Sequence, residues 1–257
     1  MRSPTSSSST GARLAMMGTA VGAMAALRVT SRVVAMRRAG RAWRGLDHRT
    51  VIPGAEPVLP LVVLGDSAAA GHGLADAAEA LPRQVGARLA RRTGRAVEIE
   101  AYARSGADTA EVADQQAPRI DRAEVVVIGV GVNDALAPGR RVAEVRDATA
   151  RMLAATRARA PQAEVVLLTC PDLGTAPGIP RALSAAVRWR CRTLAVAQMR
   201  AAAEAGVSVV ATSGPLPAEV FGDDGFHPGP AAVTRLADRT LAVLDGTPVA
   251  AADGAAG

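Results

Sequence analysis

The segment "VLGDSAAAGHG", residues Val63–Gly73, passes directly from an apolar stretch into an acid, a serine and a run of small residues. The stretch before the acid, Leu59–Leu64, has the continuous apolar composition of a strand that is buried on both faces. Gly, Asp and Ser are common in turns for purely local reasons, so Asp66 and Ser67 acquire a function only if partner side chains lie elsewhere in the chain.

Apolar blocks alternate with helical stretches from about residue 58 onward. The predicted strands are Leu59–Leu64, Val97–Tyr102, Glu124–Val130, Glu164–Thr169 and Val207–Ala211. The predicted helices are Glu79–Arg92, Thr109–Pro118, Arg140–Ala160, Arg181–Ala205 and Pro230–Leu244. Strands that alternate with helices in this way indicate βαβ units, and we therefore predict an α/β protein with a doubly wound parallel sheet.

Polar residues follow several of the predicted strands, at the edge where ligands bind in such sheets. "GDS" with Ser67 follows the first strand, and "SGADT" with Gly106 follows the second. "GVND" with Asn133 follows the third, and "DDGFHPG" with Asp224 and His227 lies beyond the fifth. Because the carboxyl ends of parallel strands share one edge, we expect these residues to converge there.

The residue types at this edge match the requirements of nucleophilic catalysis. A serine hydroxyl is a poor nucleophile until a base removes its proton, and that base is usually a histidine oriented by a carboxylate. His227 can serve as the base for Ser67, with Asp224 in the same loop to orient it. The backbone N–H groups of Ser67 and Gly106 and the side-chain amide of Asn133 could form the oxyanion hole.

These motifs, in this order, resemble those of the SGNH hydrolases, also called the GDSL lipase/esterase family, over roughly residues 58–245. The resemblance implies a flavodoxin-like three-layer α/β/α sandwich with a five-stranded parallel sheet of order 2-1-3-4-5. It also implies a serine ester hydrolase of the carboxylesterase or lipase type, which needs no cofactor and acts on small-molecule or lipid esters. Ala68 departs from the family motif, which has Leu, at a position without a catalytic role. A binding or scaffold protein on an inactive, membrane-anchored hydrolase fold is the alternative, and the intact Ser67, Asp224 and His227 count against it.

Three further side chains offer competing chemistry. His72 follows Ser67 by five residues and is the rival base, although a histidine so close in sequence is expected to line the cleft mouth or to lie exposed. Cys170 and Cys191 could pair, but two cysteines in a domain of this size are more often free and buried. The spacing of Cys, His and carboxylates matches no metal-binding pattern, so we predict no metal site.

The charge of the chain is concentrated near its N-terminus. Residues 1–50 contain nine arginines and one acid, a net charge of +8, whereas the remaining residues carry a net charge of −2. A nucleic-acid-binding domain should carry its basic patch on the folded domain, so we expect no nucleic-acid partner.

The first 50 residues differ from the rest in composition and form a separate predicted segment. Leu14–Leu27 is an apolar run that is short for a membrane span and is followed by several arginines. It fits a membrane anchor with the catalytic domain in the cytoplasm, a signal peptide that leads to export, or a disordered tail. Membrane contact would then involve residues 14–44. Residues 246–257 are predicted to be a disordered tail, and the catalytic domain is expected to be monomeric.

Overall fold

The computed structural model describes residues 49–212 and 214–247 of the chain. Nearly all of the predicted N-terminal segment of residues 1–50, including its apolar run, lies outside the described residues, as do residues 248–257 of the predicted tail.

The centre of the fold is one six-stranded sheet. Its strands are β1 (Thr50–Ile52), β2 (Ala55–Gly65), β3 (Arg95–Ala101), β4 (Val125–Gly129), β5 (Glu164–Leu168) and β6 (Ser208–Val210). Their order across the sheet is β1-β3-β2-β4-β5-β6. Only β1 runs antiparallel to its neighbour, β3, and the other pairs are parallel.

The prediction of a five-stranded, all-parallel sheet is therefore wrong. The five predicted strands are present and keep the relative order 2-1-3-4-5, but β1 adds an antiparallel strand at the edge beside β3. This strand was missed because it has only three residues, and Val51 in its middle is exposed. A short edge strand with one solvent-facing side does not produce the continuous apolar run that marks a buried strand.

Helices cover both faces of the sheet, which gives three layers. The helices are α1 (Leu81–Thr93), α2 (Thr109–Glu111), α3 (Val132–Ala135), α4 (Val142–Arg159), α5 (Arg181–Glu204) and α6 (Pro230–Leu244). Alternate residues of each central strand enter different cores, because side chains of a strand point to opposite faces. In β2, Leu61 and Val63 pack with α1 and α6, whereas Val62 and Leu64 pack on the face that α4 covers.

Four of the five predicted helices occur within two residues of their expected ends. The predicted helix Thr109–Pro118 is irregular: α2 continues into a π-helical turn, Val112–Gln116, and then into a 3₁₀ turn, Ala117–Arg119. Among the described residues, no helix combines the length and the apolar character needed to cross a membrane.

The parallel strands end at one level. Gly65 of β2 is in register with Gly129 of β4, Gly129 with Leu168 of β5, and Leu168 with Val210 of β6. The loops that follow these strands therefore leave the sheet side by side, which brings the predicted site residues to one edge.

Candidate active site

The end of β2 is fixed by close backbone packing. Gly65 has a positive φ of 142°, and a Cβ atom at this position would lie 2.0 Å from the carbonyl oxygen of Gly129. Buried Gln116, in the π-helical turn, accepts a hydrogen bond from the Gly65 N–H (2.8 Å) and donates one to the Gly65 carbonyl (2.9 Å). These contacts hold the peptide that precedes Asp66 and Ser67, so the turn leaves the sheet in a defined direction.

Ser67, His227 and Asp224 form a continuous chain of hydrogen bonds. The Ser67 Oγ lies 3.0 Å from the His227 Nε2, and the His227 Nδ1 lies 2.5 Å from the Asp224 Oδ2. Because an ionised carboxylate can only accept, Nδ1 carries the ring proton and Nε2 presents its lone pair to the serine hydroxyl. Ser67 and His227 are both buried. The structure thus brings the predicted nucleophile, base and acid into contact in the order that proton transfer requires.

Asp224 is held in its ionised form by its own loop. Its Oδ1 accepts hydrogen bonds from the backbone N–H groups of Phe226 and His227, each at 2.9 Å. Partial burial raises the pKa of Asp224, but the hydrogen bonds from the His227 ring and from the two backbone N–H groups outweigh that effect, and the pKa lies below its ordinary value. The carboxylate is therefore negative at neutral pH and fixes the orientation of the imidazole.

The two predicted oxyanion-hole residues lie in loops that are bonded to each other. The Asn133 Nδ2 donates a hydrogen bond to the carbonyl of Ala107, next to Gly106, at 2.9 Å. Buried Asp134 accepts hydrogen bonds from the backbone N–H (2.9 Å) and the hydroxyl (2.7 Å) of Thr109. Gly106 has a positive φ of 81°, a conformation that favours glycine.

Asp66, next to the nucleophile, is buried and faces the loop that carries Asn133. Its carboxyl group accepts hydrogen bonds from the backbone N–H groups of Ala68, Gly131 and Val132. Burial raises the pKa of Asp66 to about 7 despite these bonds, and the nearby Asp134 contributes to the increase. Asp66 therefore links the Ser67 turn to the start of α3, a role that the motif alone does not reveal.

His72 is half-buried and lies beside His227. Its ring packs against the ring of His227 with centroids 4.3 Å apart and planes tilted by 34°. Its Nδ1 lies 3.3 Å from the hydroxyl of Ser105, and its backbone N–H donates to the Ser67 carbonyl at 2.9 Å. Burial and then the proximity of His227 lower the pKa of His72, whereas Asp224 acts in the opposite direction. The sequence signal for this position is the flanking pair Gly71 and Gly73, both with positive φ.

Cys170 and Cys191 are free and buried. Contact with the Cys191 thiol, together with burial, raises the pKa of Cys170 well above its ordinary value. A thiol that stays protonated is a poor nucleophile, which leaves Ser67 as the better candidate.

A cavity of about 870 Å³ opens beside Ser67 and His227. This size is within the usual range for sites that bind small molecules. Its lining is mainly aliphatic and aromatic and comes from α1, α6 and the loops after β5 and β6, including Leu81, Leu168, Leu173, Leu216, Phe226, Val233 and Leu236. Ser67 therefore lies at the wall of an apolar cavity.

The family model of the GDSL-like lipase/acylhydrolase family matches residues 63–234, and the chain belongs to this family. Over 201 residues it is 32% identical to a GDSL-like esterase of Mycobacterium tuberculosis, a match that covers 72% of this chain. The matched region spans 61% of that relative's length.

Solved structures show the same fold at lower identity. A lipase/acylhydrolase from Enterococcus faecalis is 22% identical with a TM-score of 0.57, and the match covers 75% of this chain and 100% of that one. The psychrotrophic esterase EstA from a Pseudoalteromonas species is 14% identical with a TM-score of 0.54, and the match covers 73% and 97% of the two chains. These similarities establish the three-layer α/β architecture.

Proposed function

We propose that this protein is a serine hydrolase that cleaves carboxylic esters through an acyl-enzyme on Ser67, with His227 as general base and Asp224 as the residue that orients it. The observation that carries the proposal is the hydrogen-bonded chain of these three side chains, 3.0 Å and 2.5 Å long in its two links, at the wall of an apolar cavity. Membership of the GDSL-like lipase/acylhydrolase family supports it.

The reaction begins with attack of the Ser67 oxygen on the ester carbonyl carbon. The His227 Nε2 takes the hydroxyl proton as the new carbon–oxygen bond forms, and Asp224 stabilises the resulting imidazolium. His227 then returns the proton to the leaving alcohol. A water molecule repeats the cycle on the acyl-enzyme and releases the carboxylic acid.

Negative charge that develops on the carbonyl oxygen is stabilised by donors that are already in place. We assign this role to the backbone N–H groups of Ser67 and Gly106 and to the amide of Asn133. The hydrogen bond from Asn133 to Ala107 and the bonds from Thr109 to Asp134 tie the two donor loops together, which keeps them from reorganising during the reaction.

The apolar cavity favours esters with a hydrocarbon acyl chain over esters with a polar acyl group. Burial of each methylene contributes about 0.8 kcal/mol of transfer free energy, so a cavity lined by leucine, valine and phenylalanine should bind longer acyl chains more tightly. We therefore infer lipid-like or other apolar esters as the substrate class.

Hydrolysis of a p-nitrophenyl ester series of increasing acyl length tests the proposal. We expect kcat/KM to increase from acetate to medium-chain esters, because more of the acyl chain then enters the cavity. Ser67→Ala should abolish measurable turnover, His227→Ala should cause nearly the same loss, and Asp224→Asn a smaller one. Labelling with a fluorophosphonate probe should depend on Ser67.

Ser208→Ala is a matched control, because Ser208 is exposed at the start of β6. It should keep wild-type activity and labelling. A wild-type protein that neither hydrolyses the esters nor reacts with the probe would contradict the proposal and favour a binding or scaffold role on an inactive fold.

A further inference from the structure

Three side chains with metal-binding chemistry meet at the site. His72, Asp224 and His227 each offer one ligand atom, and these atoms all lie within 4.8 Å of one another. Two imidazoles and a carboxylate form a donor set that suits Zn²⁺ and related transition-metal ions, whereas Mg²⁺ and Ca²⁺ prefer oxygen ligands. Sequence spacing did not indicate this cluster, because His72 and His227 are far apart in the chain.

We propose that His72, His227 and Asp224 bind a divalent transition-metal ion of the Zn²⁺ type, and that the bound ion switches off the hydrolase. The inhibitory half of this proposal rests on the proposed function. The metal site itself rests on the placement of the three side chains.

The backbone fixes where His72 lies. Its N–H donates to the Ser67 carbonyl at 2.9 Å, and its ring packs 4.3 Å from that of His227. Gly71 and Gly73 on either side have positive φ values of 78° and 87°. The tight turn after the nucleophile thus returns the chain toward the His227 ring.

Metal binding requires only a local adjustment. Zn–N and Zn–O bonds of about 2.0–2.2 Å in a tetrahedral site place ligand atoms roughly 3.3 Å apart. The most distant ligand atoms, which lie within 4.8 Å of one another, would move together, and if His227 binds through Nδ1, that atom and the Asp224 Oδ2, now 2.5 Å apart, would move apart. His72 is half-buried, and the Asp224 side chain retains 39% of its exposure, so the ion can enter from solvent and the ligands have room to turn.

Metal binding and proton transfer exclude each other at His227. If the ion binds Nε2, it occupies the lone pair that would accept the Ser67 proton. If it binds Nδ1, the ring proton moves to Nε2, and the hydrogen bond to Asp224 is lost. An N–H at Nε2 would face Ser67 as a donor. In each case His227 no longer acts as the base, and removal of the metal restores it.

Isothermal titration calorimetry of the full-length chain with ZnCl₂ in a non-chelating buffer tests the site without substrate. His72→Phe retains a ring against His227 but has no ligand nitrogen, and it should weaken Zn²⁺ binding about tenfold or more. Asp224→Asn should also weaken it. His48→Asn removes the remaining histidine but leaves all three ligands, so this control should bind as the wild type does.

The second measurement is inhibition of ester hydrolysis, with each variant compared with its own metal-free rate. Zn²⁺ should inhibit the wild-type protein reversibly, with recovery on addition of EDTA. Cu²⁺ should inhibit at lower concentration, and Mg²⁺ should have no effect. The concentration for half inhibition by Zn²⁺ should increase about tenfold or more in His72→Phe and stay unchanged in His48→Asn.

Equal Zn²⁺ affinity and equal inhibition of the wild type and His72→Phe would overturn the proposal, and so would binding that leaves hydrolysis unaffected. Circular dichroism confirms that each variant is folded, and Asp224→Asn provides an independent test of the ligand set in calorimetry. If the chain hydrolyses no ester, the proposed function fails, whereas His72-dependent binding in calorimetry would still support the metal site.

Discussion

Asp66 and Ser67 are neighbours in the chain but face different surroundings. Both residues line the cavity, but Ser67 contacts His227, whereas the carboxyl of Asp66 is buried against backbone N–H groups of Gly131 and Val132. Both residues lie in the turn that follows β2, where one side chain reaches His227 and the other reaches the backbone at the start of α3. We therefore expect the acid of "GDS" to anchor the segment that carries Asn133 rather than to take part in proton transfer.

Replacement of Asp66 tests this assignment through the pH dependence of stability. The pKa of Asp66 in the folded protein, about 7, lies above its ordinary value of 3.8, so the folded state binds a proton more tightly than the unfolded state. The stability that this group contributes is complete below about pH 4 and is lost as the pH rises through about 7. As the pH rises from about 4 to about 7, the free energy of unfolding of the wild type should therefore decrease, relative to that of Asp66→Asn, by up to about 4 kcal/mol.

Urea denaturation at a series of pH values measures this difference. The change of this stability difference with pH, rather than its size at any one pH, is the diagnostic quantity. Asparagine also changes the hydrogen bonds to the neighbouring segment, and this effect contributes to the size. Two stability curves that remain parallel between pH 4 and pH 8 would show that Asp66 does not titrate in this way.

Kinetic measurements directly test the predicted role of Asn133 as an oxyanion-hole donor. Asn133→Ala should lower kcat by roughly 10²- to 10³-fold, because loss of one fixed oxyanion donor destabilises the transition state. Labelling of Ser67 by a fluorophosphonate should remain possible, although slower. Stopped-flow and steady-state assays with one p-nitrophenyl ester give the measurement, and an unchanged kcat would indicate that Asn133 only shapes its turn.

At the level of elements, two buried glutamines hold the ends of the strands. Gln198 of α5 accepts a hydrogen bond from the Cys170 N–H (2.7 Å) and donates one to the Val130 carbonyl (2.9 Å), just beyond the ends of β5 and β4. Gln116 forms a similar pair of bonds with the N–H and carbonyl of Gly65, the last residue of β2. Backbone N–H and carbonyl groups at the strand ends thus form hydrogen bonds with glutamine side chains in place of a neighbouring strand.

Gln198→Leu should lower the free energy of unfolding by about 2–4 kcal/mol, because it leaves a buried N–H and a buried carbonyl without these partners. Gln115→Leu is the matched control, since Gln115 is exposed, and it should change stability little. Chemical denaturation followed by circular dichroism gives both values. Equal stability of the two variants would mean that water replaces the lost bonds.

Elements differ in how far the sequence predicts them. The central strands and the long helices were predicted because each carries a period or an apolar block that reflects its own burial. Edge strand β1 and the π-helical turn at Val112–Gln116 were not predicted, because each depends on what packs beside it. Strand β1 depends on pairing with β3, and the turn depends on the Gly65 peptide to which Gln116 is hydrogen-bonded. The site shows the same difference. The motif order predicted contact between Ser67 and His227, but the packing of His72 on His227 depends on a turn geometry that no motif describes.

For the whole molecule, residues that precede the predicted domain start at residue 58 take part in the sheet. Thr50–Ile52 pairs with β3, Ile52 packs against the core, and Arg49 forms an ion pair with Glu100 at 2.6 Å. A chain that begins at Arg49 retains these contacts. A chain that begins at Pro57 loses β1 together with the first two residues of β2.

Removal of residues 1–48 should therefore separate attachment from chemistry, since all proposed catalytic residues lie among residues 49–247. We expect residues 49–257 to keep the wild-type kcat/KM on a water-soluble ester and to stay in solution, and residues 57–257 to have a lower Tm. The full chain should sediment with anionic lipid vesicles, because basic residues beside an inserted apolar segment each contribute about 1 kcal/mol, and added salt should weaken this binding without abolishing it. Full-length protein that remains in the supernatant at low salt would contradict the anchor, whereas a mature protein that begins near Ala26 in the culture medium would establish a cleaved signal peptide.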